Sequence, residues 1–265
     1  MRFVKGHGTE NDFVVLPDLD GELDPDLVRR LCDRRAGLGA DGVLAVVTTP
    51  DGYFMDYRNA DGSLAQMCGN GIRVFARVLV HTGLASPGEM VIGTRSGPKR
   101  VCVPADGGDI RVEMGSPQRL SDAVVSIGAD SWTAAGWSMG NPHLVVSDVG
   151  SLDRLDLGRA PVIDPADAFP DGVNVEFIER VGPAHLRMRV HERGSGETRS
   201  CGTGACAVAV ATMAALAERV PYLVDVPGGC LAVEWRSDGQ VTLSGPAVLV
   251  ACGELDPAVI HSRTA

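Results

Sequence analysis

The chain contains an internal repeat, and this repeat constrains its fold more than any other feature of the sequence. The segment QMCGNGIRVFARVLV (66–80) resembles RSCGTGACAVAVATM (199–213), and both place Cys-Gly-x-Gly at the start of an apolar run. The two cysteines, Cys68 and Cys201, are 133 residues apart. Two further pairs are 130 residues apart: Asn11 with Asn141, and Asp41-Gly42-Val43 with Asp171-Gly172-Val173. Three landmarks in the same order indicate two homologous halves.

The repeat and the length of 265 residues predict two domains. A turn-like break at Gly115-Ser116-Pro117 suggests where the two halves join. We therefore expect an N-terminal half at residues 1–115 that carries Cys68, and a C-terminal half at residues 116–250 that carries Cys201. The tail at residues 251–265 is expected to pack on the N-terminal half.

The local pattern is mixed α/β. Asp24-Pro25 and the apolar residues that follow predict a helix with an N-cap, a proline in its first turn and Gly37 at its end. The runs at 43–47, 173–178 and 186–190 predict strands. Residues 205–217 carry no charge, so a helix there must be buried on all sides and lie at the centre of its domain. Residues 72–80 predict a similar helix with a polar stripe at Arg73 and Arg77.

Composition argues against several functions. The net charge of −10 and the scattered positions of the 24 basic residues argue against a nucleic-acid partner. No stretch reaches the ~18–20 apolar residues that span a bilayer, and no export signal is found, so we expect a cytoplasmic protein without a membrane partner. The seven cysteines are odd in number and lack C-x-x-C spacing, which favours reduced thiols.

Nucleotide and metal motifs do not fit the sequence. The segment 37–42 matches G-x-G-x-x-G, but it closes a predicted helix and precedes a predicted strand, the reverse of a dinucleotide-binding turn. No G-x-x-x-x-G-K-[ST] or H-E-x-x-H occurs, and the remaining His, Cys and Asp residues lack metal-ligand spacing. We therefore expect neither a cofactor nor a metal.

The two Cys-Gly-x-Gly segments each place a thiol where a buried helix begins. Unpaired N–H groups and the positive end of the helix dipole favour anions there, so a thiolate or a ligand carboxylate is stabilised. An isolated cysteine is more often a small buried apolar residue. The internal repeat reverses that preference for Cys68 and Cys201 alone, and the other five cysteines keep it: Cys32, Cys102, Cys206, Cys230 and Cys252.

Two homologous domains that face each other would bring both thiols against one small ligand from opposite sides. This geometry suits inversion at a carbon, because one thiolate removes the α-proton of an amino acid while the other thiol delivers a proton to the opposite face. The α-proton is weakly acidic, so hydrogen bonds to the carboxylate must strengthen as negative charge develops. The thiols should titrate as a coupled pair and give a bell-shaped pH profile.

The motifs along the whole chain resemble those of the diaminopimelate epimerase family. In order, they are GHGTENDFVV, RRAGLGADG, YRNADGS, MCGNGIRVFAR, MGNPH, DGVNVEF and RVHERGSGETRSCGTGACA. The resemblance implies a homodimer of two-domain subunits, with each domain a mixed curled sheet or barrel around a central helix. It also implies an isomerase of lysine and peptidoglycan precursor supply that converts L,L-diaminopimelate to the meso form without pyridoxal phosphate.

The resemblance also assigns roles to residues. In the L,L-to-meso direction Cys201 would be the proton acceptor and Cys68 the proton donor. His143 and Glu192 match groups that tune the cysteines. The positions that match the substrate-binding set are Asn11, Asn59, Gly69, Asn70, Asn141, Asn174, Glu192, Arg193, Gly202 and Thr203. Gly42 departs from the family pattern, in which glutamine often follows the aspartate, so a side-chain contact to the substrate is expected to be lost there.

Two other functions stay open. The first is a racemase or epimerase of another amino acid, such as proline or histidine, because the two-thiol scaffold is shared while the distal pocket differs. The presence of Arg193 with Asn59 and Asn174 favours a substrate with a second charged head group. The second is a binding module or a thiol–disulfide protein. The two thiols at helix starts disfavour a binding module, and the lack of C-x-x-C disfavours redox work.

Overall fold

The structure is a computed structural model that describes residues 1–147, 149–256 and 258. The chain divides into two compact units, one of Met1–Val112 together with the segment from Gly245 onward, and one of Glu113–Ser244. Of the tail 251–265 that the sequence assigns to the N-terminal half, residue 257 and residues 259–265 lie outside the described residues.

The first nine helices and strands occupy the chain up to Gly115. They are β1 (Arg2–Gly8), β2 (Asn11–Leu16), α1 (Pro25–Cys32), β3 (Gly42–Thr49), β4 (Gly52–Asn59), α2 (Gly69–His81), β5 (Gly88–Gly93), β6 (Lys99–Val103) and β7 (Ile110–Gly115). Neighbouring strands follow the order β1 to β7, and the pairs β2–β3 and β4–β5 are parallel while the others are antiparallel.

The remaining elements begin at Gln118. They are β8 (Gln118–Arg119), β9 (Ala123–Ile127), β10 (Asp130–Ser138), β11 (Pro142–Val146), a short 3-10 helix (Leu152–Arg154), β12 (Val162–Asp164), β13 (Asn174–Gly182), β14 (His185–Glu192), β15 (Gly196–Thr198), α3 (Gly202–Leu216), β16 (Tyr222–Val226), β17 (Gly229–Trp235), β18 (Val241–Gly245) and β19 (Val248–Glu254). The last strand, β19, pairs with β1 in the first unit.

The internal repeat is visible in the strand order of the second unit. Its strands run β10, β11, β13, β14, β16, β17 and β18, with β11–β13 and β14–β16 parallel and the other neighbours antiparallel. This is the same sequence of parallel and antiparallel pairs as in β1 to β7. The remaining strands of this unit, β8, β9, β12 and β15, pair at its margins.

Each sheet surrounds one helix. In the first unit α2 contacts β1, β2, β3, β6 and β19, and in the second unit α3 contacts β10, β11, β13, β14, β16 and β17. The helix α1 packs on the other face of the first sheet, where Leu27, Val28 and Leu31 meet Val14 and Val43. Strand β2 is consequently buried on both faces, as its continuous apolar run requires. The prediction of a mixed α/β fold with a curled sheet around a central helix in each half is confirmed.

The helix predicted after Asp24 forms, but it is shorter than the sequence suggests. The Asp24 carboxylate accepts from the N–H of Asp26 at 3.0 Å, and Pro25 occupies the first turn. The helix ends at Cys32, because the Asp33 side chain accepts from the N–H groups of Arg35 and Ala36 and starts a turn there. The prediction that Gly37 ends the helix is therefore wrong. Gly37 lies where a Cβ would come within 2.0 Å of the Arg30 carbonyl oxygen, so only glycine fits.

The central helices also correct two expectations about burial. Helix α3 is buried from Gly202 through Val210 apart from Thr203, but its last turn is exposed, with Leu216 at the surface. The run without charge therefore does not require burial along its whole length. In α2 the expected polar stripe is wrong at Arg73, which is fully buried.

Among the helices in the described part of the chain, none combines the length and the apolar character needed to cross a bilayer.

Candidate functional site

Cys68 caps the N-terminus of α2. Its backbone is extended, and its sulfur accepts from the N–H of Gly71 at 3.4 Å. The thiol donates to the side-chain carbonyl oxygen of Asn11 at 3.4 Å. Cysteine replaces the usual Ser or Asp of an N-cap, so the sequence positions a reactive sulfur where the helix backbone favours negative charge.

The orientation of the Asn11 amide is fixed from its other side. Its Nδ2 donates to the Asp41 carboxylate at 2.7 Å, which leaves Oδ1 directed at Cys68 and at Nδ2 of Asn70, 3.3 Å away. Asp41 in turn accepts from Arg34 at 2.7 Å. An acceptor therefore faces the Cys68 thiol, and an acceptor stabilises the protonated form of a thiol.

A cluster of charges supports this corner of the first unit. The Asp12 carboxylate pairs with Lys5 at 2.6 Å and with Arg34 at 2.8 Å. Burial raises the pKa of Asp12, but the hydrogen bonds and charges of Arg34 and Lys5 outweigh burial and hold this pKa at about 2. The carboxylate stays ionised at neutral pH and anchors the strand that carries Asn11.

A buried arginine lies under the first turn of α2. The guanidinium of Arg73 donates to the carbonyl oxygen of Gly69 at 2.9 Å, to Oδ1 of Asn70 at 3.0 Å and to the carbonyl oxygen of Pro246 at 3.3 Å. Its cation adds to the positive end of the helix dipole beside Cys68. The sequence signal was present in MCGNGIRVFAR, but nothing local distinguishes a buried arginine from a solvated one.

Cys201 caps the N-terminus of α3 in the same way. Its sulfur accepts from the N–H of Gly204 at 3.4 Å and lies 3.5 Å from the hydroxyl of Thr203. The side chain is buried, and burial, followed by the charges of Glu192 and Glu176, raises the pKa of the Cys201 thiol well above its ordinary value. The two carboxylates oppose the effect of the helix N-terminus.

Glu192 ends β14 beside Cys201. Burial raises the pKa of Glu192, the hydrogen bond from the Thr198 hydroxyl lowers it, and the Glu176 charge raises it again. Glu192 therefore keeps its proton to higher pH than an ordinary carboxyl group does. Glu192 thus lies beside Cys201, and its role in tuning that thiol stays a prediction.

His143 and Glu176 form a fully buried pair. Nδ1 of His143 lies 2.6 Å from Oε1 of Glu176, and Nε2 lies 3.1 Å from Oδ1 of Asn141. The second carboxylate oxygen of Glu176 has no hydrogen-bond partner within the described part of the chain. Sequence reasoning missed Glu176. The available signal was a single carboxylate inside the otherwise apolar strand VNVEFI.

The residues expected at the distal end of a substrate make hydrogen bonds within their own unit. The N–H of Arg193 donates to Oδ1 of Asn174 at 3.0 Å, and its exposed guanidinium donates to the carbonyl oxygen of Asp171 at 3.0 Å. In the first unit Asn59 donates to the Ser63 hydroxyl at 3.0 Å. Asn59 and Arg193 thus share no hydrogen bond with the cysteine of their own unit among those described.

Asn59 pairs with Gly42 across β3 and β4, and this position is closed to side chains. A Cβ at Gly42 would lie 2.5 Å from the carbonyl oxygen of Arg58 and 2.8 Å from the ring of Tyr57. A glutamine therefore does not fit here without movement of the backbone.

Of the predicted residues, the first unit brings Asn11, Gly69 and Asn70 together around Cys68, and the second brings Gly202, Thr203 and Glu192 together around Cys201. No group of three or more potential metal ligands occurs among the residues that the structure describes. Burial raises the pKa of Cys32 to about 11, so this thiol is unreactive at neutral pH.

The family model described as diaminopimelate epimerase matches residues 3–120 and 137–250. A diaminopimelate epimerase from Streptomyces coelicolor is 53% identical, in an alignment that covers 97% of this chain and 96% of the relative. One from Rhodococcus opacus is 48% identical, and 97% of each chain is covered.

Solved structures show the same fold at low identity. The crystal structure of a probable proline racemase from Agrobacterium radiobacter, with bound carbonate, superposes with a TM-score of 0.69 at 16% identity. The match covers 97% of this chain and 95% of that chain. At this identity the similarity establishes the fold alone.

Proposed function

The chain belongs to the diaminopimelate epimerase family, and from this premise we propose that it epimerises L,L-2,6-diaminopimelate to meso-diaminopimelate with two thiols and no pyridoxal phosphate. The observation that carries the two-thiol mechanism is the pair of cysteine N-caps, Cys68 on α2 and Cys201 on α3, at corresponding places in two homologous units. The enzyme is an isomerase of lysine and peptidoglycan precursor supply.

The reacting carboxylate is held by the starts of α2 and α3. The first N–H groups of a helix have no partner inside the helix, and Gly69, Asn70, Gly202 and Thr203 supply these groups. Hydrogen bonds to the carboxylate strengthen when the α-carbon loses its proton and negative charge spreads onto the carboxylate oxygens. These N–H groups therefore lower the barrier to a carbanion that an isolated thiolate would form slowly.

The surroundings of the two thiols support different starting states. Cys68 donates to Asn11 and is held as the thiol, which suits the proton donor in the L,L-to-meso direction. Cys201 is surrounded by carboxylates that raise its pKa, so its thiolate is a strong base once it forms. Glu192, whose own pKa is raised, takes the proton from Cys201 when substrate binds. His143 contacts Glu176 in this cluster at 2.6 Å.

The distal amino-acid group of the substrate is bound by Asn59, Asn174 and Arg193, and Asn11 and Asn141 complete the hydrogen bonds to the amino groups. Arg193 provides a planar pair of donors for a carboxylate. Because Gly42 has no room for a side chain, these residues must supply the distal contacts without help from that position. Replacement of Arg193 by Met should reduce turnover of diaminopimelate much more than exchange of a smaller amino acid.

A comparison of three cysteine variants tests this function. Cys68→Ala and Cys201→Ala should each abolish formation of meso-diaminopimelate. Chiral chromatography of the amino acid measures this product. The matched control is Cys206→Ala, because Cys206 lies on the same helix as Cys201, one turn further on, and is buried. This control should keep activity close to that of the unmodified enzyme. If the fully reduced, unmodified enzyme produces no meso isomer, the proposed function is wrong.

We also propose that the enzyme acts as a cytoplasmic homodimer. The family resemblance supports both the dimer and the location. Light scattering coupled to size-exclusion chromatography should give a mass twice the 27.8 kDa of the chain. A mass that stays at 27.8 kDa across the working concentration range would contradict the dimer without affecting the proposed reaction.

A further inference from the structure

Glu176 is a buried carboxylate that neither binds substrate nor transfers a proton in the proposed function. It projects from β13 into the interior of the second unit, with one oxygen 2.6 Å from Nδ1 of His143 and the other without a hydrogen-bond partner among the residues described. Burial of a carboxylate with an unpaired oxygen costs free energy, and such groups persist where they serve the site.

We propose that Glu176 is a positioning residue for the reaction: it anchors the His143 ring and sets the charge beside the first turn of α3, and so determines when the Cys201 thiol gives up its proton. The inference rests on the proposed function for its catalytic consequence, but its effect on Cys201 is independent of any substrate.

The hydrogen bonds of His143 fix how many protons the pair holds. Nε2 faces the carbonyl oxygen of Asn141, which accepts only, so Nε2 carries a hydrogen. The short contact between Nδ1 and Glu176 requires one further proton between them. One proton therefore lies between Nδ1 of His143 and Oε1 of Glu176, and Glu176 determines which way the ring is held.

The carboxylate also lies directly against the helix that carries Cys201. A Cβ on Gly204 would come within 2.7 Å of Oε1 of Glu176, so glycine at this position allows the carboxylate to approach the helix backbone. The groups that face Glu176 are His143 from β11, Glu192 from β14 and Cys201 from α3. The charge on Glu176 raises the pKa of both Glu192 and Cys201.

The first unit shows that packing alone does not require a carboxylate here. At the corresponding glycine, Gly71, the neighbour is the ring of Phe13, 3.3 Å from a Cβ placed there. Phe13 is the counterpart of His143, 130 residues away. An apolar ring fills the space beside α2, whereas a histidine and a carboxylate fill the space beside α3, so the charged pair has a purpose beyond filling volume.

The test uses the full-length enzyme with Glu176→Gln, which keeps the shape and removes the charge. The matched control is Glu179→Gln on the same strand, since Glu179 is partly exposed and pairs with Arg187 at 3.3 Å. Alkylation by iodoacetamide is followed from pH 7 to 11 with the modified peptides separated by mass spectrometry, and the exposed Cys252 in the same digest is the reference. Activity with diaminopimelate is measured in parallel.

Removal of the Glu176 charge should shift the alkylation midpoint of Cys201 to lower pH in Glu176→Gln, with no shift at Cys252 and none in the control. In the enzyme assay kcat should fall by about tenfold or more, because His143 loses its anchor, while KM changes by less than about twofold. The corresponding limb of the pH profile should move in the same direction as the alkylation midpoint.

Glu176→Asp separates the effect of charge from that of packing. It is also the variant to measure if Glu176→Gln does not fold. It keeps the negative charge and should keep the alkylation midpoint of Cys201 close to that of the unmodified enzyme, with a lower kcat. An unchanged midpoint in Glu176→Gln, or the same shift in Glu176→Asp, would overturn the proposal. If the unmodified enzyme does not epimerise diaminopimelate, the proposed function fails, and the alkylation result still decides the role of Glu176.

Discussion

The first turns of α2 and α3 share a backbone and differ in charge. Both begin with a cysteine whose sulfur accepts from the N–H three residues later, at 3.4 Å in each case. Beside α2 lie two asparagine amides and the buried cation of Arg73, and beside α3 lie two carboxylates and a histidine. The repeat has thus kept the position of the thiol and changed the electrostatic field around it.

This difference gives two thiols at equivalent positions unequal electrostatic surroundings. The cation of Arg73 favours the anion of Cys68 and the Asn11 acceptor favours its thiol, whereas the buried carboxylates beside Cys201 favour a thiol whose anion is a strong base. The arginine of α2, Arg73, corresponds to the small residue Cys206 of α3, 133 positions later. Substitutions at matched positions of the two units can therefore test the comparison directly.

The largest effect is expected at the buried arginine. Arg73→Met removes a fully buried guanidinium that donates to Gly69, Asn70 and Pro246, and should lower the free energy of unfolding by about 3 kcal/mol. It should also move the alkylation midpoint of Cys68 to higher pH, because the nearby cation is gone. The matched variant Cys206→Ala should lower the free energy of unfolding by about 1 kcal/mol and leave the alkylation midpoint of Cys68 unchanged. Denaturant unfolding measures the loss of stability, and peptide-resolved alkylation measures the midpoint. Equal losses of stability in the two variants would contradict the expected difference between the two units.

A methyl group at each helix-start glycine should expose the difference in packing. Gly204→Ala places Cβ 2.7 Å from the Glu176 carboxylate, and the expected loss is about 2 kcal/mol with a fall in kcat. Gly71→Ala meets the Phe13 ring at 3.3 Å, which can give way, so the expected loss is below about 1 kcal/mol. Thermal unfolding and initial rates provide the comparison. A larger loss of stability in Gly71→Ala than in Gly204→Ala would contradict this expectation.

A fall in pH should reduce the stability that Asp12 contributes in the first unit and increase the stability that Glu192 contributes in the second. The pKa of Asp12 is lowered from 3.8 to about 2 in the folded protein, so its ionised form contributes stability above pH 3.8 that is lost as the pH falls towards 2. Asp12→Asn should therefore cost roughly 2 kcal/mol at pH 7 and almost nothing at pH 2.

Glu192 has the opposite sign. Its pKa is raised on folding, so its contribution is most favourable at low pH and is lost as the pH rises through the folded value. Glu192→Gln should make the protein relatively more stable than the unmodified enzyme at pH 8, with little difference at pH 4. Unfolding curves at the two pH values measure this, and a glutamine variant that is weakened more at pH 8 than at pH 4 would show the opposite sign.

The smallest effect is expected from the residue that orients Asn11. Asp41→Ala removes the acceptor for Nδ2 of Asn11, so the amide can rotate away from Cys68, and kcat should fall by about tenfold. The repeat provides the control, Asp171→Ala, because Asp171 accepts from Arg193 through its backbone oxygen and not its side chain. Steady-state rates that fall equally in the two variants would remove the role of Asp41.

The sequence predicted the features that depend on local pattern. The N-cap at Asp24, the strands at 43–47, 173–178 and 186–190, and the helices that begin after both cysteines all follow from spacing and residue type. The end of α1 was missed because the Asp33 side chain turns the chain before Gly37.

The environment of each thiol depends on contacts between residues far apart in the sequence. Glu176 meets His143 only because β11 and β13 pair in parallel with His143 opposite Asn174, two residues before the glutamate. Arg73 is buried, and one of its hydrogen bonds goes to the carbonyl oxygen of Pro246, 173 residues later. Neither contact has a local signal, and these contacts give the two corners their opposite charge.

The most direct test of the two-thiol account is the position of deuterium after brief reaction of L,L-diaminopimelate in D2O. If Cys201 removes the proton and Cys68 delivers a different one, the first meso-diaminopimelate formed carries deuterium at the inverted carbon while the recovered L,L substrate carries none. Mass spectrometry of the two separated isomers at less than about a tenth of full conversion gives the answer. Equal deuterium in both isomers, or unlabelled product, would mean that one group acts on both faces and would contradict the account.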